Sequence, residues 1–231
     1  MTTTATAETA AAAKPIDPAD NRYPPQIPFI IGNEACERFS YYGMRSILTV
    51  FMVQSLLMPK SDSKAIYHLF VSACYLFPML GGYIADRYWG KYKTILVLSL
   101  GYCVGHGILA MGESKTLLYA GLFFIAFGAG GIKPCVSAYV GDQFTTRNKH
   151  LVKKVFDLFY WSINFGSFFS TMLIPFVYAR YGASWAFGIP GILMAIALFI
   201  FWLGRDKYVN APPAKETGSA GFMPVFLYAI S

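Results

Sequence analysis

An all-α polytopic membrane protein is the fold class this sequence predicts, on three observations. The 231-residue chain is 55% hydrophobic and only 13% charged, too apolar a balance for an ordinary soluble domain. Its apolar residues form runs of about the 20 residues that an α-helix needs to cross a bilayer. The basic residues behind the net charge of +7 lie in short links between those runs, not in one patch, which argues for membrane topology and against a nucleic-acid partner.

The runs define six spans in order. Residues 1–26 are Ala/Thr-rich and then Pro-containing and polar, with no basic start and apolar core, so they read as a disordered tail and not a secretory signal. Pro24, Pro25 and Pro28 introduce the first span, near 27–57, since the first amides of a helix lack partners and tolerate proline. A polar turn at 59–64 leads to a second span near 65–86, with Pro78 as a kink. A charged link with aromatics at 86–93 precedes the third span, near 94–112. The fourth runs near 116–140, the fifth near 151–179, and the sixth ends near Leu203. Together 27–204 form a six-helix transmembrane bundle. Residues 205–231 read as a polar linker followed by the start of a further, incomplete helix, because the closing apolar run is too short to cross.

Alternating links give an orientation. With the first link inside, twelve of the 19 Lys and Arg lie on the inner side and four on the outer, the other three being within spans. The positive-inside rule then puts both ends of the chain in the cytoplasm. The four cysteines, Cys36, Cys74, Cys103 and Cys135, all fall within spans without metal-ligand spacing and read as packing residues. No nucleophile–base pair or metal cluster is visible, so no metal, cofactor or enzymatic activity is expected.

The first span holds Glu34, Glu37, Arg38 and Arg45. A charge at the bilayer centre costs about 2.5–3.5 kcal/mol on insertion scales, so four in one span point to function. With Tyr41 and Tyr42 they fall on one helical face, which must look into a protein-lined, wet cavity. Lys133 in the fourth span is the second anomaly. It follows Gly128, Gly130 and Gly131, which permit close helix approach, and precedes Pro134, which frees a carbonyl. Glu34 and Glu37 are its available counter-charges. One reading of the set is a buried ion pair that locks two helices. The other is a proton relay, in which a carboxylate takes up a proton when its cationic partner is drawn to an anionic substrate group. Arg45 and Lys133 would then receive the anion.

Other polar groups admit two readings each. Tyr41, Tyr42 and Tyr75 offer hydrogen bonding and apolar surface together, to a ligand or to the core. His68, at a span end, is either an interfacial histidine or a proton acceptor. His106, with no charged neighbour in sequence, reads as a packing or hydrogen-bonded histidine. Asn164 can bond a neighbouring helix or a ligand. Asp86 and Arg87, at a cytoplasmic helix end, suit a gating or structural salt bridge.

Several of these stretches together resemble the proton-coupled oligopeptide transporter family of the major facilitator superfamily. Residues 34–43, EACERFSYYG, are similar to its first-helix ExxER motif. Residues 81–94, GGYIADRYWGKYKT, resemble its signature across helices two and three, and 156–168 its fifth-helix signature. Gly131, Ile132, Lys133 and Pro134 resemble its fourth-helix lysine motif, and 65–75 the animal-type members and their bacterial relatives. The resemblance implies the N-terminal six-helix bundle of a major facilitator fold in the plasma membrane, or the inner membrane of a bacterium. It implies import of di- and tripeptides with protons as the coupling ion. By position, Glu34, Glu37, Arg38, Lys133 and His68 would serve proton coupling. Arg45 and Lys133 would face the peptide carboxylate, with Tyr41, Tyr42, Tyr75 and Asn164 lining the peptide site. It also implies a C-terminal six-helix half, absent from this sequence, that supplies the opposite wall. A fragment without transport of its own, and a relative carrying another anion such as nitrate, are the competing expectations.

Overall fold

The computed structural model describes residues 22–213, so the expectations for residues 1–21 and for the incomplete helix within 214–231 lie outside the described residues. Pro28 opens the first helix, α1 (Ile27–Gln54), where a missing amide is harmless. Pro59 caps α2 (Lys60–Ile84), which therefore begins five residues earlier than the polar composition of 60–64 suggested. The expected charged link after it is not a loop. Ala85–Trp89 form one π-helical turn that carries α2 directly into α3 (Gly90–Ala110). Gly90 closes that turn at φ +74°, a conformation that favours glycine.

Ser114 caps α4 (Lys115–Asp142) by accepting a hydrogen bond from the Leu117 amide at 3.2 Å. A 3₁₀ turn (Lys149–Leu151) leads into α5 (Val152–Tyr181), and Gly182, at φ +83°, reverses the chain into α6 (Ala183–Leu203). The helices agree with the six predicted runs in order and, within a few residues, in extent. Four helical stretches are long and apolar enough to cross a membrane: Lys60–Ala110, which holds α2, the π turn and α3, and then α4, α5 and α6. α1 is not among them, and its four charged residues explain why.

The helices form an open ring of packed neighbours in the order α2, α4, α3, α6, α1, α5, with α5 also touching α6 and α1 also touching α2 and α4. Glycine sets the tightest approaches, as expected where apolar lipid leaves packing to hold helices together. A methyl group added at Gly81 on α2 would collide with the Gly131 backbone on α4. One added at Gly105 on α3 would lie 2.9 Å from the Gly121 carbonyl oxygen on α4. The outward surface is apolar, with Leu69, Leu76, Phe168, Met172, Phe176 and Phe199 exposed.

After α6 the chain folds back across one end of the bundle. Gln143 accepts from the Val209 amide at 2.9 Å and donates to the Val209 carbonyl at 3.2 Å, while the Tyr139 hydroxyl donates to Asn210 Oδ1 at 2.6 Å. Tyr208 stacks on Phe201, and Lys91 pairs with Asp142 at 2.6 Å beside it. This strap was not anticipated, since its partners are separated by 66 and 71 residues and share no local pattern.

Candidate functional site: a buried charge cluster between α1 and α4

The charged face of α1 lies inside the bundle. Glu34 is 4% exposed, Glu37 0%, Arg38 6% and Tyr41 2%. The expectation of a wet cavity is met differently along its length: this stretch is sealed, and only Tyr42 and Arg45, a turn further on, reach partial exposure. Within the sealed part, Arg38 Nε lies 2.8 Å from Glu34 Oε1 and 2.5 Å from Glu37 Oε2, so one guanidinium serves two carboxylates. Helical spacing makes the Glu34–Arg38 pairing local, at i, i+4.

α4 supplies the fourth charge. Lys133 interacts electrostatically with Glu37, Glu34 and Arg38. Its Nζ sits 4.6 Å from the Tyr41 ring centroid and 5.3 Å from that of Tyr75 on α2. Gly130 and Gly131 explain how the lysine gets there: without side chains, they let α4 approach α2 at Phe77 and Gly81. Two carboxylates and two cations thus occupy one desolvated region, and the set is electroneutral when all four are charged. Adding one proton to either carboxylate leaves one positive charge in excess, a condition that favours an anion nearby.

Arg45 belongs to a second, wetter group. Its Nε donates to the Tyr67 hydroxyl at 2.6 Å, and the guanidinium lies 5.4 Å from the Tyr67 ring centroid. His68 packs edge-on against the same Tyr67 ring at 5.5 Å and is itself exposed. Of the residues expected to handle protons, Glu34, Glu37, Arg38 and Lys133 are therefore brought together, whereas His68 stands with Arg45 and Tyr67. Tyr42 meets Tyr41 edge-on at 5.4 Å, and Tyr75 is 70% exposed. Asn164 is exposed on α5, where its amide donates to the Tyr160 carbonyl one turn back at 2.8 Å. Asp86 and Arg87 fall on the π turn, exposed and remote in sequence position from the charge cluster.

Two polar residues near the cluster escaped the sequence reading. Tyr102 on α3 is fully buried and interacts with Glu37 and Arg38. Ser40 bridges helices by donating to the Pro190 carbonyl on α6 at 2.7 Å. A tyrosine in an apolar run carries no local mark of its neighbours, whereas Ser40 could have been found by its place beside the ExxER stretch.

The POT family model matches residues 92–231. The chain is 43% identical over 209 residues to Peptide transporter 3 of Caenorhabditis elegans, covering 84% of this chain and 30% of that protein. It is 42% identical over 226 residues to human Solute carrier family 15 member 2, covering 91% and 31% respectively. Among solved structures it resembles the POT family transporter PepTSo at 53% identity and a TM-score of 0.85, over 90% of this chain and 42% of that one. A peptide transporter POT (E310Q mutant) in complex with alafosfalin matches at 26% identity and a TM-score of 0.80, over 92% and 46%. The chain thus spans about three-tenths of the length of these curated relatives and less than half of the solved transporters.

Proposed function

From the premise that this chain belongs to the POT family and is a multi-pass membrane protein, we propose that it forms the N-terminal half of a proton-coupled symporter of di- and tripeptides. The observation that carries the proposal is the balanced set of buried Glu34, Glu37 and Arg38 with half-buried Lys133. Protonation of one carboxylate weakens its hold on Arg38 and Lys133 and raises the local positive potential. A peptide carboxylate entering from the side of Tyr75 and Arg45 then meets a cation less committed to its internal partner. The reverse order works equally: a bound anion draws Lys133 away and raises the proton affinity of the carboxylate left behind. Protons need no cofactor here, because the exchange is between acids and bases already in the fold.

In this reading Arg45 and Lys133 receive the carboxylate, while Tyr41, Tyr42, Tyr75 and Asn164 belong to the peptide site. His68 acts through Tyr67 on Arg45, and Asp86 and Arg87 gate the inner end. The exposed apolar faces meet lipid and a second six-helix bundle supplied by further polypeptide. Both ends of this chain face the cytoplasm of a cell whose plasma membrane, or bacterial inner membrane, holds the protein.

The test is uptake into liposomes by the complete protein that contains this chain. Dipeptide accumulation should follow an inward proton gradient and collapse when the gradient is dissipated. Equal accumulation with and without the gradient refutes the coupling. Competition by nitrate but not by alanyl-alanine would favour the anion carrier, and a complete protein that neither takes up nor exchanges dipeptide refutes the symport reading.

A further inference from the structure

Some buried polar atoms are left over by the charge cluster. On α1, Asn33 lies one helical turn before Glu37 on the same face. On α3, Ser99, Tyr102 and His106 share one face at i, i+3 and i+7. Asn33, Glu37, Ser99, Tyr102 and His106 are all 0% exposed. Among the described residues, neither polar atom of Asn33, nor Ser99 Oγ, nor the Tyr102 hydroxyl has a hydrogen-bond partner. The His106 ring stacks on Tyr102 at 5.0 Å near the Phe187 backbone, without closing a hydrogen bond from either nitrogen.

Burying a hydroxyl or amide with no partner costs about 1–3 kcal/mol by protein mutational measures, so four such atoms are expensive unless something satisfies them. α1 and α3 both begin at the same end of the ring, because they are alternate members of an up-and-down bundle with short links. At 1.5 Å per residue, Asn33 lies about 9 Å along α1 and Glu37 about 15 Å. Ser99 lies about 14 Å along α3 and Tyr102 about 18 Å. Tyr102 interacts with Glu37, and Asn33 and Ser99 each lie about one helical turn from that pair on their own helices.

We propose that Asn33, Ser99 and Tyr102 hold a short chain of buried water against Glu37, and that this water carries the carboxyl proton toward the end of the bundle where α1 begins. Buried waters of this kind make two to four hydrogen bonds to groups that are otherwise unsatisfied. The transfer is a bond exchange. A water oxygen accepts the Glu37 proton and passes one of its own to the next water, so each oxygen ends with the bonds it began with. Asn33, Ser99 and Tyr102 are positioning residues, since they orient the water and do not keep the proton. The charged groups facing Glu37 are Glu34 and Arg38 from α1 and Lys133 from α4, while Tyr102 faces it from α3. The inference deepens the symport reading and rests on it for its transport arm.

The experiment compares Tyr102→Phe and Asn33→Leu with the parent in the complete protein. Proton-driven dipeptide uptake is measured beside proton-independent counterflow, and a crystal structure is determined at a resolution that shows ordered water. Each variant should slow driven uptake about five- to tenfold, the worth of one lost hydrogen bond, while counterflow stays within about twofold. The parent structure should show water within hydrogen-bond distance of the Tyr102 hydroxyl and the Asn33 amide. An unchanged ratio of driven uptake to counterflow in both variants overturns the relay. So does a dry Tyr102 hydroxyl. Should Asn33→Leu fail to fold, Tyr102→Phe, which removes one oxygen, decides alone. A parent that neither takes up nor exchanges dipeptide defeats the symport reading, and the water density still decides this one.

Discussion

Replacing Arg38 by Gln tests whether the cluster is held as a balanced set. Arg38 is the shared partner of Glu34 and Glu37, and the three side chains are 7%, 5% and 0% exposed. Gln keeps some hydrogen bonding but no charge, leaving two desolvated carboxylates with Lys133 as the remaining cation. Removing one member of a buried pair costs about 3–5 kcal/mol, most of it from the charge left unpaired. For a chain of this size each kcal/mol moves the melting temperature by about 2–4 °C, so Arg38→Gln should melt roughly 6–20 °C below the parent. Thermal unfolding of the detergent-solubilised protein reads this directly. The double variant Arg38→Gln with Glu37→Gln should recover more than half of the loss, because it removes the fully buried orphan charge. A single variant within about 2 °C of the parent, or a double variant additive with the two singles, would refute the idea that these residues act as one electrostatic unit.

Three further outcomes follow from other contacts. Gly131→Leu should lower the melting temperature through overpacking against Leu98 and Gly81, by about 1–3 kcal/mol or more, whereas Gly82→Ala, which meets open space, should change it by less than about 1 kcal/mol. Gln143→Ala removes both bonds to Val209, so hydrogen exchange should show the Val209 amide losing protection about tenfold while amides in the middle of α4 keep theirs. Tyr67→Phe frees the Arg45 guanidinium from its 2.6 Å bond, and under the symport reading the apparent affinity for dipeptide should shift about threefold to tenfold with the proton dependence retained.

The sequence was informative where composition and spacing act locally. Run lengths gave six helices, prolines gave α1 its start, and the i, i+3, i+4 pattern put Glu34, Glu37 and Arg38 on one face, which the structure finds buried together. The approach of Lys133 could be suspected because charge demands counter-charge, and glycines beside it announced a close crossing. The π turn at Ala85–Trp89 was illegible, since charged and aromatic residues are as common in links as in interfacial helix turns. Tyr102 and the Gln143–Val209 clamp depend on the packing of α3 against α4 and on the return of the strap, pairings that no periodicity within one helix encodes. His68, whose residue type suits proton chemistry, stands exposed beside Tyr67 and not in the buried cluster, a placement that its position at a span end could not specify.

The division between a sealed and an open end of α1 has a mechanistic consequence. The charges that must be paired to remain buried, Glu34, Glu37 and Arg38, sit where exposure is 6% or less. Arg45, two turns later, is partly exposed and held by a neutral hydroxyl instead of a carboxylate. A guanidinium bonded to tyrosine keeps its full charge for an incoming anion, whereas Arg38 is committed to two internal acids. Lys133 is the member with an intermediate position, touching the acids by its charge and Tyr75, which is 70% exposed, by its ammonium face. Under the symport reading it can lean toward either group by rotating a flexible stem, and so would let protonation at Glu37 and anion binding near Arg45 be felt by one another. On this argument Lys133→Gln should uncouple the two, leaving peptide exchange measurable but no longer driven by protons. Lys133→Arg should not rescue it, because a bulkier planar guanidinium with a fixed fork of donors cannot exchange between the two partners as a compact ammonium on a flexible stem does. Full proton-driven uptake in Lys133→Gln would show that the coupling runs elsewhere.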